Sequence, residues 1–317
     1  MAEEPRIAYD RVHLTEYFSG KSAKDLSLAR FDFADAHGID LRLNTKAIAI
    51  DSAAQTVTTS LGDVIRYDKL VMATGSYAFV PPISGNDREN CFVYRTIEDL
   101  DAIRAASLNS KTGVVIGGGL LGLEAAKALR DLNLETHVVE FAPRLMAVQI
   151  DDLGGKVLRR KIENLGVKVH TQKATSSIEA GTEATHVMKF ADGSELETDI
   201  ILFSAGIRPR DELARSSGLA LGERGGIKIN DYCQTSDDNI YAIGECALWD
   251  NKIYGLVAPG YDMARIAAKH IVEEETHSFA GADMSTKLKL MGVDVASVGD
   301  AHGMTPNSLS YFYADED

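Results

Sequence analysis

Three glycines, Gly117, Gly119 and Gly122, stand between an apolar run, Val114–Ile116, and a helix-compatible run that extends to about Leu132. At a strand-to-helix bend each has its own task. The first permits the tight turn, the second lets the backbone approach a diphosphate, and the third lets the helix pack close to the strand. The helix that follows, with Leu120 and Leu121 in its first turn, presents unpaired N–H groups and the positive end of its dipole to phosphate. Glu140 comes 18 residues after Gly122, at the end of a second apolar run. A carboxylate there accepts both hydroxyls of a ribose and repels a 2′-phosphate. The chemistry open to these residues is therefore to hold a dinucleotide, NAD(H) in preference to NADP(H). Arg144, four residues beyond Glu140, is near enough to weaken that preference. Glu124, two residues past the last glycine, either complements the helix dipole or stands near a nicotinamide and its electron acceptor. Gly206, which closes a later apolar run, joins the same set.

The segment that must position these residues, KTGVVIGGGLLGLEAAKALRDLNLETHVVE, contains a strand, a helix and a second strand, one complete βαβ unit. A helix–strand pair follows in GGKVLRRKIENLGVKVH, then a hairpin turning at Asp192-Gly193 and a buried strand over Ile200–Ser204. This predicts a nucleotide domain over residues 110–225. Before it, Ala47–Asp51, Thr56–Ser60 and Tyr67–Gly75 read as strands. The last is apolar on both faces and ends in Met72-Ala73-Thr74-Gly75, as a buried parallel strand does at a ligand crevice. After it, GGIKIN, NIYAIGEC and a helical run from Pro259 to Glu275 return to that character. Residues 1–109 and 226–278 are thus expected to form a second, discontinuous domain into which the first is inserted. Residues 279–317 read as strand, turn and strand, the start of a third, α+β domain. The fold class is α/β, with two doubly wound Rossmann-like domains.

Composition narrows the partners. A chain of 317 residues, 45% hydrophobic, can bury two cores. A formal net charge of −14 argues against nucleic acid or an anionic membrane surface, since phosphate binding draws on Lys and Arg. No apolar run reaches the length of a membrane span, and MAEEPRIAYD lacks the basic and apolar regions of a signal peptide. A cytoplasmic protein is expected. Cys91, Cys233 and Cys246 are too scattered for a disulfide framework or a metal-ligand spacing, and the eight histidines show no H-E-x-x-H pattern, so no metal is expected in this chain.

The order of the segments EEPRIAYDRVHLTEYF, YDKLVMATGSY, CFVYRTIEDL, VVIGGGLLGLEAAKAL, HVVEFAPRLM, FSAGIRPRDELA, GGIKINDYCQTSDDNIYAIGECA and LVAPGYDMA resembles the flavoprotein reductases with two dinucleotide-binding domains. Within them the chain is most similar to the large subunits of assimilatory NAD(P)H-dependent nitrite reductases. The resemblance implies that Glu4 and Arg11 hold the adenosine side of FAD, that Ala47, Ala73, Thr74 and Gly75 face the cofactor, and that Arg95 approaches its phosphates. It further implies that Gly244 and Glu245 meet the ribityl and pyrophosphate region, Glu245 standing where the family more often has Asp, and that the helix near Pro259 points its N-terminus at the flavin. Two parts of the family pattern are not found. The strand, GxGxxG turn and helix that cradle the FAD pyrophosphate precede the segment matching Glu3-Glu4-Pro5, so the FAD domain reads as N-terminally truncated. The cysteine cluster of an iron–sulfur or sirohaem centre is missing.

The implied function is transfer of hydride from NADH to FAD, with electrons passing to iron–sulfur and sirohaem regions and a small subunit outside this chain. A homodimer is also compatible with the family. Two other readings stay open: a ferredoxin- or rubredoxin-type reductase, and a nucleotide-binding remnant without turnover.

Overall fold

In the computed structural model, which describes every residue except Thr276, Met291, Ser310, Phe312 and 314–317, the apolar runs between residues 91 and 203 pair as a five-stranded sheet. Its strands and covering helices are β1 (Cys91–Val93), α1 (Ile97–Ser107), β2 (Thr112–Ile116), α2 (Leu120–Asp131), β3 (Glu135–Val139), α3 (Asp152–Asn164), β4 (Lys168–His170) and β5 (Ile200–Phe203). The order across the sheet is β1-β5-β2-β3-β4, with every neighbouring pair parallel. Val114, Val115, Ile200, Ile201 and Leu202 on β2 and β5 have no exposed surface. Burial on both faces is why these strands read as unbroken apolar runs rather than as alternation.

From β2 the chain steps one way, to β3 and β4, and later returns on the other side as β5. The strand order therefore switches at β2, and a crevice opens beyond the carboxyl ends of strands at such a switch. Residues 117–119 occupy that end. The first helix of this unit is started by a reciprocal cap: the Thr96 side chain accepts from the Asp99 N–H and the Asp99 carboxylate accepts from the Thr96 N–H. α2 lies on β2 and β3 and buries Gly122, Leu123, Ala125, Ala126, Ala128 and Leu129, a face of mainly small residues that permits close approach. The opposite face of the sheet is covered by strands Thr175–Ala180, His186–Phe190 and Glu195–Thr198, whose Ile178, Met188 and Phe190 pack with Val114, Ile116, Val139, Ile201 and Phe203. That layer is antiparallel sheet, with the hairpin turn at Asp192-Gly193 as expected.

The contacts divide the chain into two compact units, residues 1–79 with 206–283, and residues 80–205 with 284–317. These limits differ from those expected at 110, 225 and 279. Residues 91–107 fall in the second unit because β1 pairs with β5 through Ile201 and Cys91. Residues after 206 fall in the other unit because the strand Ile207–Pro209 pairs with Ser76–Ala78. Phe279 is a core residue of that unit, 1% exposed, with its ring edge-on to Trp249 and Tyr254 at 5.2 and 5.6 Å.

In the unit of residues 1–79 and 206–283, Leu70–Met72 and Ile240–Ala242 run parallel, with Met72 opposite Ala242. A three-stranded antiparallel sheet, Ala47–Asp51, Thr56–Thr59 and Val64–Arg66, lies in the same unit, as does a helix, Val257–Ile271. Their shared core includes Ile50, Val57, Met72, Ile240, Tyr241, Met263, Ile266 and Phe279. Val71 is 40% exposed, so the strand over Leu70–Met72 is not buried on both faces as its composition suggests. Among the described residues it has one neighbouring strand, and the pleat turns Val71 away from that core. The expected pair of strands near the C-terminus is present as Thr286–Leu290 paired with Val293–Ser297; Met291 between them lies outside the described residues.

Candidate functional site

The carboxyl end of β2 runs into Gly117, whose φ of +118° is open to glycine alone. A Cβ at Gly117 would lie 2.2 Å from the Ser204 carbonyl oxygen, and one at Gly122 would lie 2.0 Å from the Gly117 carbonyl oxygen. Both positions are closed by neighbouring backbone, so they serve the bend and the helix contact. Gly119 is different. It is the N-cap of α2, its φ of −81° is ordinary, and a Cβ there would meet nothing within 4 Å. No side chain caps this helix end. The helix thus begins with orphan N–H groups that no side chain caps and with open space beside its N-cap residue, an arrangement suited to an anion.

Glu140 follows β3 directly, and its carboxylate is held in place by two backbone donors. The Gly118 N–H donates to Oε2 at 2.5 Å and the Ala142 N–H to Oε1 at 2.6 Å. The Met146 N–H returns the contact by donating to the Gly118 carbonyl at 2.8 Å. Gly118 is a site residue that the motif spacing alone does not single out. A Cβ on it would sit 2.6 Å from Leu145 Cδ2 and 3.1 Å from Glu140 Oε2, so the middle glycine of the Gly117-Gly118-Gly119 run admits the loop after Glu140 against the turn. The uninterrupted triple glycine is the sequence signal for it.

Around this centre, Leu120 is half-buried and Leu121 is 37% exposed at the start of α2. Glu124 lies half-buried one turn further along. Arg144 is committed to its own loop: Nη1 pairs with Asp152 at 2.5 Å, Nε donates to the Ile150 carbonyl at 3.0 Å and Nη2 to the Ala147 carbonyl at 3.5 Å. Each guanidinium nitrogen thus has a partner within residues 147–152. Gly206 falls just beyond this unit, at φ +106°, and its carbonyl accepts from the Phe79 N–H at 2.8 Å. A separate cavity of about 600 Å³ lies between α3 and the strand Val293–Ser297, walled by Ile150, Val157, Leu158, Lys161, Val293 and Val295, and none of the three motif glycines lines it.

The residues expected at FAD belong mostly to the other unit. Its parallel pair, Leu70–Met72 and Ile240–Ala242, ends in glycines at left-handed φ, +69° at Gly75 and +73° at Gly244. A Cβ at Gly244 meets nothing within 4 Å, while the first turns of the helix Val257–Ile271 pack on it through Gly260 and Met263. Pro259 is buried in the first turn of that helix, where its missing N–H costs nothing. Carboxyl ends of adjacent parallel strands beside a helix N-terminus fit a nucleotide. Thr74 donates to the Arg210 carbonyl at 2.6 Å, and Ser76 donates to Glu245 Oε2 at 2.7 Å. Glu4 accepts from Tyr9 Oη at 2.6 Å and pairs with Arg11. Burial raises the Glu4 carboxyl, but the Tyr9 hydrogen bond and the Arg11 guanidinium outweigh it and hold the group below its usual range. Ala73 is exposed, and Ala47 packs against the hydrophobic core. Arg95 lies in the unit of residues 80–205 and 284–317, just before α1, where its N–H donates to Asp99 at 3.1 Å.

The thiols are poorly suited to exchange. Burial pushes Cys91 up to about 11 and Cys233 up to about 12, away from the thiolate that exchange requires. Cys246 is buried, its Sγ donating to the Ile243 carbonyl at 3.3 Å.

Comparison with known proteins agrees with this geometry. The chain is 60% identical over 315 residues to the NADH nitrite reductase large subunit of Escherichia coli (strain K12), a match that takes in 99% of the chain and 37% of that protein. It is 38% identical to the assimilatory nitrate reductase electron transfer subunit of Bacillus subtilis (strain 168), over 93% of the chain and 38% of that protein. The chain thus spans a little over a third of the length of these relatives. It is 31% identical to a rubredoxin-NAD(+) reductase of Alcanivorax borkumensis, over 84% of the chain and 70% of that protein. Among solved structures, a NAD-dependent persulfide reductase from A. fulgidus superposes with a TM-score of 0.87 at 27% identity, covering 94% of this chain and 58% of that one. An NADH:rubredoxin oxidoreductase from Clostridium acetobutylicum does so with a TM-score of 0.83 at 25% identity, covering 100% and 79%. The family model for pyridine nucleotide-disulphide oxidoreductases matches residues 1–270, and the chain belongs to that family.

Proposed function

We propose that the chain is the NADH-to-FAD hydride-transfer module of a nitrite reductase large subunit. The observation that carries this reading is the open space above Gly119 at the N-terminus of α2, with the Glu140 carboxylate fixed beside it. In the proposal, the diphosphate of NADH lies against the first-turn N–H groups of α2, and Glu140 uses its remaining lone pairs for the ribose hydroxyls. Glu140 also disfavours a 2′-phosphate, so NADH is the coenzyme. Glu124 is assigned to the nicotinamide side.

FAD, when bound, supplies the acceptor for the hydride that leaves NADH as NAD+. In the other unit, Thr74, Gly75, Gly244, Glu245 and the helix beginning at Val257 are the residues that would hold it, with Glu4 and Arg11 on its adenosine side. This chain's own work is then to bind and orient two nucleotides rather than to act as nucleophile or base. Electrons are proposed to leave for iron–sulfur and sirohaem centres outside this chain, as the resemblance implies. No described helix is long and apolar enough to cross a membrane; a cytoplasmic setting is part of the proposal.

A rubredoxin- or ferredoxin-type reductase is the second reading, favoured by the 70% of the Alcanivorax borkumensis protein that the chain covers. The test is NADH oxidation by the purified chain supplied with FAD and ferricyanide. Turnover that depends on both nucleotides supports the module. NADH binding without turnover points instead to a remnant, and reduction of rubredoxin at a rate comparable to that of ferricyanide favours the second reading.

A further inference from the structure

We propose that Asp152 is a coenzyme-specificity residue, which keeps NADPH out by holding Arg144 away from the place a 2′-phosphate would occupy. The proposal rests on the reading that Glu140 marks the ribose end of a dinucleotide site. NADPH differs from NADH by a dianionic group on that ribose. A carboxylate beside it is repulsive, and a nearby guanidinium is what can reverse the preference. Arg144 is the only Lys or Arg between Glu140 and Asp152.

The structure engages each nitrogen of this cation with its own loop. Asp152 Oδ1 takes Nη1 at 2.5 Å, and the Ile150 and Ala147 carbonyls take Nε and Nη2. The aliphatic stem lies on Gly155 in the first turn of α3, where a Cβ would be 2.8, 2.9 and 3.3 Å from Arg144 Cδ, Cβ and Cγ. Every acceptor of the guanidinium thus lies on residues 147–152. Of the three, Asp152 alone carries charge, and so it alone both holds the cation and cancels its field at the ribose end.

Besides this pairing, Asp152 complements the dipole of α3 as an acidic residue in its first turn, a small contribution that does not hold the loop. Its side chain is 79% exposed, and the N-cap of α3 is its neighbour Asp151, which accepts from the Gly154 N–H at 2.7 Å. The loop is anchored independently by buried Leu145 and by the Met146 N–H on the Gly118 carbonyl. Removing Asp152 should free the charge of Arg144 without unravelling the loop.

The experiment is calorimetric titration of NADH and NADPH into the wild-type chain, Asp152→Ala, Arg144→Ala and the double variant, at low and high salt. The expected result is a gain in NADPH affinity of about 10-fold in Asp152→Ala, with NADH affinity changed less than about 2-fold. The gain should shrink at high salt and vanish in the double variant. An unchanged NADPH-to-NADH ratio in Asp152→Ala overturns the proposal. So does a gain that survives in the double variant, which would trace it to loss of a negative charge rather than to release of Arg144. Failure of the wild-type chain to take up NADH is a different result: it removes the coenzyme site itself, and the inference with it.

Discussion

The Gly118 N–H and the Glu140 carboxylate are joined by a 2.5 Å hydrogen bond that ties the glycine turn after β2 to the residue after β3. The bond places an acidic group of known orientation beside an uncapped helix N-terminus. Replacing Glu140 by Ala removes this clamp, the Ala142 bond and the proposed ribose acceptor together. Hydrogen bonds to a charged group contribute about 1.5–3 kcal/mol each. NADH affinity should therefore fall by about 10- to 100-fold, with a smaller loss for NADPH, which no longer meets a repelling carboxylate. Fluorescence titration measures both, and an equal loss for the two coenzymes would contradict the assigned role.

Much of this centre is legible in the sequence because it is local. Gly117, Gly119, Gly122 and Glu140 fall within one strand–helix–strand unit, where spacing and periodicity specify geometry. The limits of the units are not local. β1 is placed by pairing Cys91 with Ile201, 110 residues away, and residues 91–107 carry no mark of their own that ties them to the glycine turn. Phe279 likewise looks like the first residue of a new segment until Trp249 and Tyr254 enclose it. The state of Arg144 depends on an acidic partner eight residues on and on a glycine that makes room for its stem, neither of which follows from its distance to Glu140. The exposure of Val71 follows from the number of neighbouring strands, which composition does not encode.

Phe279 supplies a test of the unit boundary. It is 1% exposed in a core shared with Tyr254 and Met263. Phe279→Ala should destabilise the unit of residues 1–79 and 206–283 by about 3–5 kcal/mol, the usual cost of emptying a large aromatic site. Urea unfolding followed by Trp249 fluorescence reads that loss. A change below about 1 kcal/mol would show that residues near 279 are not part of that core.

His137 and His170 predict the response to acid. Their rings stack at 5.3 Å, His137 Nδ1 faces His170 Nε2 at 3.1 Å, and Glu135 Oε1 lies 3.1 Å from His137 Nε2. Burial, the larger influence on each, holds both imidazoles below the ordinary value of 6.5, and the Glu135 hydrogen bond offsets it only in part at His137. The unfolded chain then takes up protons near pH 6.5 that the folded chain takes up only at lower pH, so stability should fall as pH drops through about 6.5. The urea midpoint should decrease from pH 8 to pH 5.5, and decrease less in His170→Asn. A midpoint independent of pH in this window would show that the pair is not held neutral.

The claim on which the function rests is that the space at Gly119 belongs to a diphosphate. Gly119 has an ordinary φ and no neighbour where a Cβ would stand, so Gly119→Val should fold with a melting temperature within a few degrees of wild type. Its side chain would nevertheless project over the N-terminus of α2. Calorimetric titration of that folded variant with NADH is the most direct measurement. A loss of affinity of at least about 10-fold is the result expected, and NADH binding at wild-type strength would contradict the site.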